Sequence, residues 1–168
     1  MQLSVFKRLL VPALLVLTTA CGFHLRKMES LPFDAIYVQG GTPAMQRDIK
    51  RQLAGGGVKV VESTEDAQAA LELMGDRYEK RIMSLSGKGR VREYELIYNA
   101  TFRVRNSPTE NWGPPQTVEQ RRDFSYDDTQ VLAKDAEEQR LVSDMRAEAV
   151  REILRRVGSL SKQAAPAQ

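Results

Sequence analysis

Three basic residues alternate in the segment Ser86-Gly87-Lys88-Gly89-Arg90-Val91-Arg92. Its two glycines mark a hairpin turn, and an extended chain through it would project Lys88, Arg90 and Arg92 to one side. Such a row can hold an anionic group by charge-assisted hydrogen bonds. It is also the composition of a solvated turn whose charges serve only solubility. The Gly87-Lys88 pair is not a nucleotide-type phosphate loop. Gly89 stands where Ser or Thr should follow the lysine, and position 82 is Ile rather than Gly. Covalent chemistry is poorly supplied. One Cys and one His leave no intramolecular disulfide, no Cys-cluster zinc site and no His relay. His24 lies close behind Cys21, in a segment that reads as a tether, and no pair of carboxylates stands out for acid–base work. The expectation is a protein without catalytic residues, metal or cofactor.

The cysteine has a different chemistry available. Lys7 and Arg8 close a short basic stretch, and Leu9 to Leu17 carry no charge. That apolar run is too short to cross a bilayer and contains Pro12, so residues 1–20 read as a signal peptide that is removed. Thr18, Thr19 and Ala20 lead directly into Cys21, the single cysteine. This arrangement resembles a bacterial lipobox. The resemblance implies a diacylglyceryl group on the thiol, cleavage before Cys21 and acylation of the new amine. Several chains on one residue make a lasting anchor, at roughly 0.8 kcal/mol per buried CH₂. The alternative is an ordinary secreted protein with an incidental thiol. Gly22, where an Asp would retain a lipoprotein at the inner membrane, resembles an outer-membrane address. Removing Lys7 and Arg8 from 25 basic residues leaves 23 against 22 acidic ones. A net charge of +1 does not suit a nucleic-acid binder.

The elements that position these residues follow from periodicity. Residues 22–33 read as the tether, in which Phe23 and Leu25 could dock. Asp34 to Gln39 is a short strand closed by Gly40-Gly41. Thr42 caps a helix with Pro43 at its first position, Met45, Ile49 and Leu53 as its apolar stripe, and Gly55-Gly56-Gly57 as its stop. Val58 to Val61 completes a β-α-β unit. Ala69 to Leu85 is extended, with a bulge at Gly75. Glu93 to Val104 alternates strictly: every even position is apolar, and only Ile97 breaks the polar odd face. Ser107 to Pro115 is a Pro/Gly loop in which Trp112 either pins its own loop or inserts into a partner or membrane interface. Gln116 to Tyr126 is an edge strand, where Arg121-Arg122 deter sheet-to-sheet pairing. A long helix starts near Asp127 or Asp128 and stops at Gly158. Its stripe is Val142, Met145, Ala149, Val150, Ile153, Leu154 and Val157, and its Arg155-Arg156 suit a helix end. Ser159 to Gln168 reads as a disordered tail.

The predicted class is therefore α/β. Residues 34–158 form a two-layer sandwich: a mixed, mostly antiparallel sheet of four to five strands with two helices packed on one face. The other sheet face stays polar and free to meet something.

Three motifs in this order resemble one family. Cys21-Gly22-Phe23-His24-Leu25-Arg26 is similar to the mature start of LptE, the lipopolysaccharide (LPS)-assembly lipoprotein family. Arg92-Glu93-Tyr94-Glu95-Leu96 is similar to its central strand entry, and Val131-Leu132-Ala133-Lys134-Asp135 to its C-terminal motif. The resemblance implies a membrane-anchored α/β domain that enters the lumen of the LptD β-barrel as a one-to-one plug and assembly partner. It also implies LPS binding, with neither covalent chemistry nor a cofactor. The ligand would then be a phosphorylated glycolipid. Lys88, Arg90 and Arg92 become candidates for its phosphates, with the acyl chains left elsewhere. Lys134 matches a basic family position implicated in LPS contact, and it sits where the helix dipole disfavours a cation; an exposed lysine offset by Asp135 is the other reading. Segment Asn106–Thr117 carries no family signal. A lipid-anchored spacer contacting another envelope component such as peptidoglycan is the competing function.

Overall fold

The computed structural model describes residues 31–107 and 109–164. The acylation site Cys21, its signal sequence and the Phe23/Leu25 docking expectation lie outside the described residues. The elements are β1 (Ala35–Gly40), α1 (Pro43–Gly55), β2 (Lys59–Val61), β3 (Ala69–Leu85), β4 (Val91–Arg105), β5 (Gln116–Ser125) and α2 (Val131–Ala164). One five-stranded sheet has the order β2-β1-β3-β4-β5. Strand β1 runs parallel to both β2 and β3, and the long pairs β3–β4 and β4–β5 are antiparallel. Both helices pack on one sheet face, as the patterning predicts.

Helix α1 is bounded by its own sequence. The Thr42 hydroxyl accepts from the Met45 amide at 3.4 Å, with Pro43 in the first turn. At the other end Gly57 adopts φ +79°. Its N–H reaches the Ala54 carbonyl at 3.1 Å, and that of Val58 reaches Leu53 at 3.0 Å. This is a Schellman close with buried Leu53 and Val58 as its apolar pair.

The even positions of β4 are the centre of the core. Leu96, Tyr98, Ala100, Phe102 and Val104 are buried against Met45, Ile49 and Leu53 of α1 and Met145, Ala149, Val150, Ile153, Leu154 and Val157 of α2. In β3, Ala69, Leu71 and Leu73 face this core. The register then shifts between Leu73 and Gly75, so that the even positions Tyr78, Lys80 and Ile82 take the helix side. Gly40 beside this strand has no substitute. A Cβ there would lie 2.2 Å from the Leu73 carbonyl oxygen, and its φ is +74°. Ile97, on the opposite face, is also buried, between the cross-strand neighbours Glu79 and Arg121.

Several expectations change. Helix α2 begins at Val131, because the Asp127 carboxylate accepts from the Thr129 amide and hydroxyl at 2.9 and 2.8 Å and holds a turn. It continues through Gly158 to Ala164, so Ser159–Ala164 are helical rather than a disordered tail. Gly158 is not a stop but a close contact: a Cβ there would sit 2.9 Å from the Leu31 side chain. Arg155 and Arg156 are consequently mid-helix, and Arg156 donates to the Thr117 carbonyl on the β5 edge at 3.1 Å. At that edge Arg121 is paired with Glu119 and Glu95, and Arg122 with Glu148. The edge is therefore guarded by occupied carbonyls more than by net charge, since Arg122 also donates to the Arg121 carbonyl at 3.0 Å.

Candidate functional site

Strands β3 and β4 outrun the rest of the sheet. The last β4–β5 pair is Glu93 with Ser125, and beyond it the hairpin is a two-stranded ribbon. Its turn closes through Ser86 N–H to the Arg90 carbonyl at 2.7 Å and Gly89 N–H to the Ser86 carbonyl at 2.9 Å. Gly89 takes φ +77°, the left-handed residue such a loop requires. Lys88 lies in the turn itself, Arg90 just before β4, and Arg92 within it. Register shifts at Ile82/Ser84 and Ser84/Leu85 interrupt regular pairing here. The three bases thus crowd one tip, but they do not form the extended one-sided row that alternation predicts.

The link from β5 to α2 folds against this tip. Arg90 pairs with Asp128 at 2.8 Å, and the Tyr126 amide donates to the Arg92 carbonyl at 2.8 Å. Lys134 sits on the first turn of α2. Its ammonium pairs with Glu137 at 2.9 Å, reaches the Ser125 hydroxyl at 3.5 Å and stands 5.4 Å from the Phe124 ring centre. Hydrogen bonds from Thr129, with the Lys134 charge nearby, hold the Asp127 carboxyl below the usual range. The structure therefore brings Lys88, Arg90, Arg92 and Lys134 to one end of the domain, although they come from two elements far apart in the chain. Lys88 and Arg92 are exposed and have no ion-pair partner among the described residues.

Lys80 belongs to the same neighbourhood and escapes the sequence reading. Its ammonium lies 4.2 Å from the Tyr94 ring centre, 5.4 Å from Phe124 and 5.5 Å from Tyr126. It pairs with Glu138 of α2, which also accepts from the Tyr78 hydroxyl at 2.6 Å. Burial and that carboxylate push the Tyr78 phenol well above its ordinary value. The available signal was a lysine between Tyr78 and Ile82 at strand spacing, but the bulge at Met74-Gly75 reverses which parity faces inward.

At the opposite side of the sheet, Trp112 lies half-buried over Arg103 and Arg105, 5.0 and 5.1 Å from their guanidinium carbons, and Gly113 N–H donates to the Val104 carbonyl at 2.8 Å. The tryptophan pins its own loop. The remaining polar face is laced by cross-strand pairs, including Arg103–Glu72 and Arg121–Glu95. Among the described residues no group of His, Cys, Asp and Glu is placed to hold a metal.

Comparison with known proteins gives this arrangement a context. Residues 33–157 match the family described as LptE: Lipopolysaccharide-assembly. The chain belongs to the LptE family. It is 26% identical over 155 residues to the LPS-assembly lipoprotein LptE of Photorhabdus laumondii, covering 89% of this chain and 83% of that one. It is 27% identical over 154 residues to the LptE of Pectobacterium atrosepticum, covering 88% and 83%. The solution structure of a lipoprotein B from Nitrosomonas europaea superposes with a TM-score of 0.70 at 36% identity, covering 84% of this chain and 93% of that one. As an LptE-family chain it is an outer-membrane-associated lipoprotein of LPS assembly.

Proposed function

We propose that this LptE-family protein is anchored to the outer membrane through acylated Cys21, seats in the lumen of an LptD β-barrel as a one-to-one plug and assembly partner, and takes the phosphates of LPS at Lys88, Arg90, Arg92 and Lys134. No catalytic role is part of this reading. The observation that carries it is the meeting of the hairpin tip and the first turn of α2, joined through Arg90–Asp128 and Lys134–Ser125. Two cations without ion-pair partners among the described residues stand beside two that are oriented by neighbours. That combination suits a multiply phosphorylated head group, for which several charge-assisted hydrogen bonds add up.

The barrel assignment draws support from the other sheet face. It is broad, polar and ion-paired, with Ala70 and Ile97 as buried exceptions, and the interior of a membrane β-barrel is polar too. Photo-crosslinking residues placed at Glu95, Asn99 and Arg103 test this in cells. The expected result is an adduct of each with one large β-barrel. Adducts with cell-wall material instead, and none with a barrel, would replace the plug by the spacer reading.

A further inference from the structure

Five of the six large apolar side chains that the described residues leave exposed lie at the cationic end: Ile82, Met83, Leu85, Val131 and Leu132, with Leu132 86% exposed. Leu85 sits beyond the last β4–β5 pair, and Ile82 and Met83 sit just before it, on the length of β3 that has lost β1 as a neighbour. The irregular pairing around Met83 leaves the consecutive residues Ile82 and Met83 both exposed, at 59% and 58%. The other two open α2, immediately after the link that Arg90 holds through Asp128. A solvated hairpin has no use for such residues. An isolated ribbon is marginal in water, and apolar groups on it are a hazard unless something meets them.

We infer that this cluster is the contact for the acyl chains of the phosphorylated lipid, so that one end of the domain grips both the head group and the start of its chains. The inference rests on the phosphate assignment above and replaces the expectation that the chains lie elsewhere. Charge decides the occupant. Lys88, Arg90 and Arg92 flank the cluster, which makes the tip complementary to an anionic amphiphile. A second copy of the chain seated here would bring two sets of these cations together. The cluster is also entirely aliphatic and thioether. The nearest tyrosines, Tyr94 and Tyr126, are half-buried around Lys80 rather than free as the anchors of a protein–protein hot spot, whereas Ile, Leu, Val and Met chains match hydrocarbon.

The test compares two soluble probes on the full processed protein. One is a bisphosphorylated glucosamine disaccharide carrying short acyl chains, the other the same disaccharide deacylated. The variant Ile82→Ser/Leu85→Ser/Leu132→Ser should lose about tenfold in affinity for the acylated probe and keep its affinity for the deacylated one. Lys88→Ala/Arg90→Ala/Arg92→Ala should weaken both. Leu132→Ser alone, at an exposed helical position, should show a smaller loss in the same direction and covers the case in which the triple variant fails to fold. Wild-type affinity of the serine variants for the acylated probe would overturn the acyl contact and leave the phosphate assignment intact. An alanine variant that binds both probes normally would overturn the phosphate assignment itself. Serine variants that bind lipid normally but no longer co-purify with a β-barrel would reassign the cluster to a protein interface and also overturn the inference.

Discussion

Strand β3 contains two different regimes. From Ala69 to Leu73 it lies in the middle of the sheet, paired with β1 on one side and β4 on the other, and its inward residues are buried. Beyond the Met74-Gly75 bulge it loses β1 as a neighbour and ends in an exposed ribbon with charged and apolar side chains in the open. The first half is held by packing, and little there can change. The second is held by hairpin bonds and a few ion pairs, and its surface is free to serve a ligand. Stability and binding should therefore be separable along one strand.

The comparison breaks most visibly in the packed half. Phe102→Ala, in the buried row opposite Leu73, should cost about 4 kcal/mol in urea unfolding. LPS affinity of the molecules that remain folded should be unchanged. Gly40→Ala forces a Cβ onto the Leu73 carbonyl at positive φ and should cost well over about 1 kcal/mol by the same measurement. A near-neutral result at either position would place the stabilising core elsewhere.

The polar fasteners on the helix side of the sheet, one between β4 and β3 and one from β3 to α2, give a smaller effect with a pH signature. The Tyr98 hydroxyl donates to Asp76 at 2.6 Å, and burial together with that carboxylate raises its pKa; Tyr78 is raised in the same way by burial and Glu138. A phenol whose pKa is higher folded than unfolded stabilises the fold fully below the unfolded value near 10. That contribution is lost as pH rises above it, because the unfolded chain then releases a proton that the folded chain keeps. Unfolding free energy should thus decline above about pH 10. Tyr98→Phe should flatten that decline while costing about 1 kcal/mol at neutral pH. An alkaline limb identical in the variant would show that this phenol is not linked to folding.

At the cationic end, in the ribbon tip and the first turn of α2, the effects on stability should be smallest. Leu132→Ser and Lys88→Ala alter exposed residues and should each shift the unfolding free energy by less than about 0.5 kcal/mol. A large loss would mean that the tip is structural.

Much of the packed half is legible from the sequence alone. Thr42-Pro43, the glycines after Leu53, the strict alternation of Tyr94 to Val104 and the stripe from Met145 to Val157 each carry one local rule, and packing does not contradict it. What stays hidden depends on neighbours far away in the chain. Gly158 looks like a helix stop until Leu31 is seen pressed against it. Asp127 looks like the start of a helix until Thr129 claims its carboxylate. Lys80 looks like an outward charge until a bulge reverses the parity of β3 and three rings gather around it. At the candidate site the three bases of the turn are visible as a motif. Their meeting with Lys134 is not, since it is made by a link whose geometry only the folded chain defines.

The measurement that bears most directly on this division of labour is LPS affinity in the full processed protein carrying Lys88→Ala/Arg90→Ala/Arg92→Ala, read together with its urea midpoint. The expected result is binding weakened at least about tenfold at an unchanged midpoint. Wild-type affinity at an unchanged midpoint would contradict it and move the ligand to another part of the molecule.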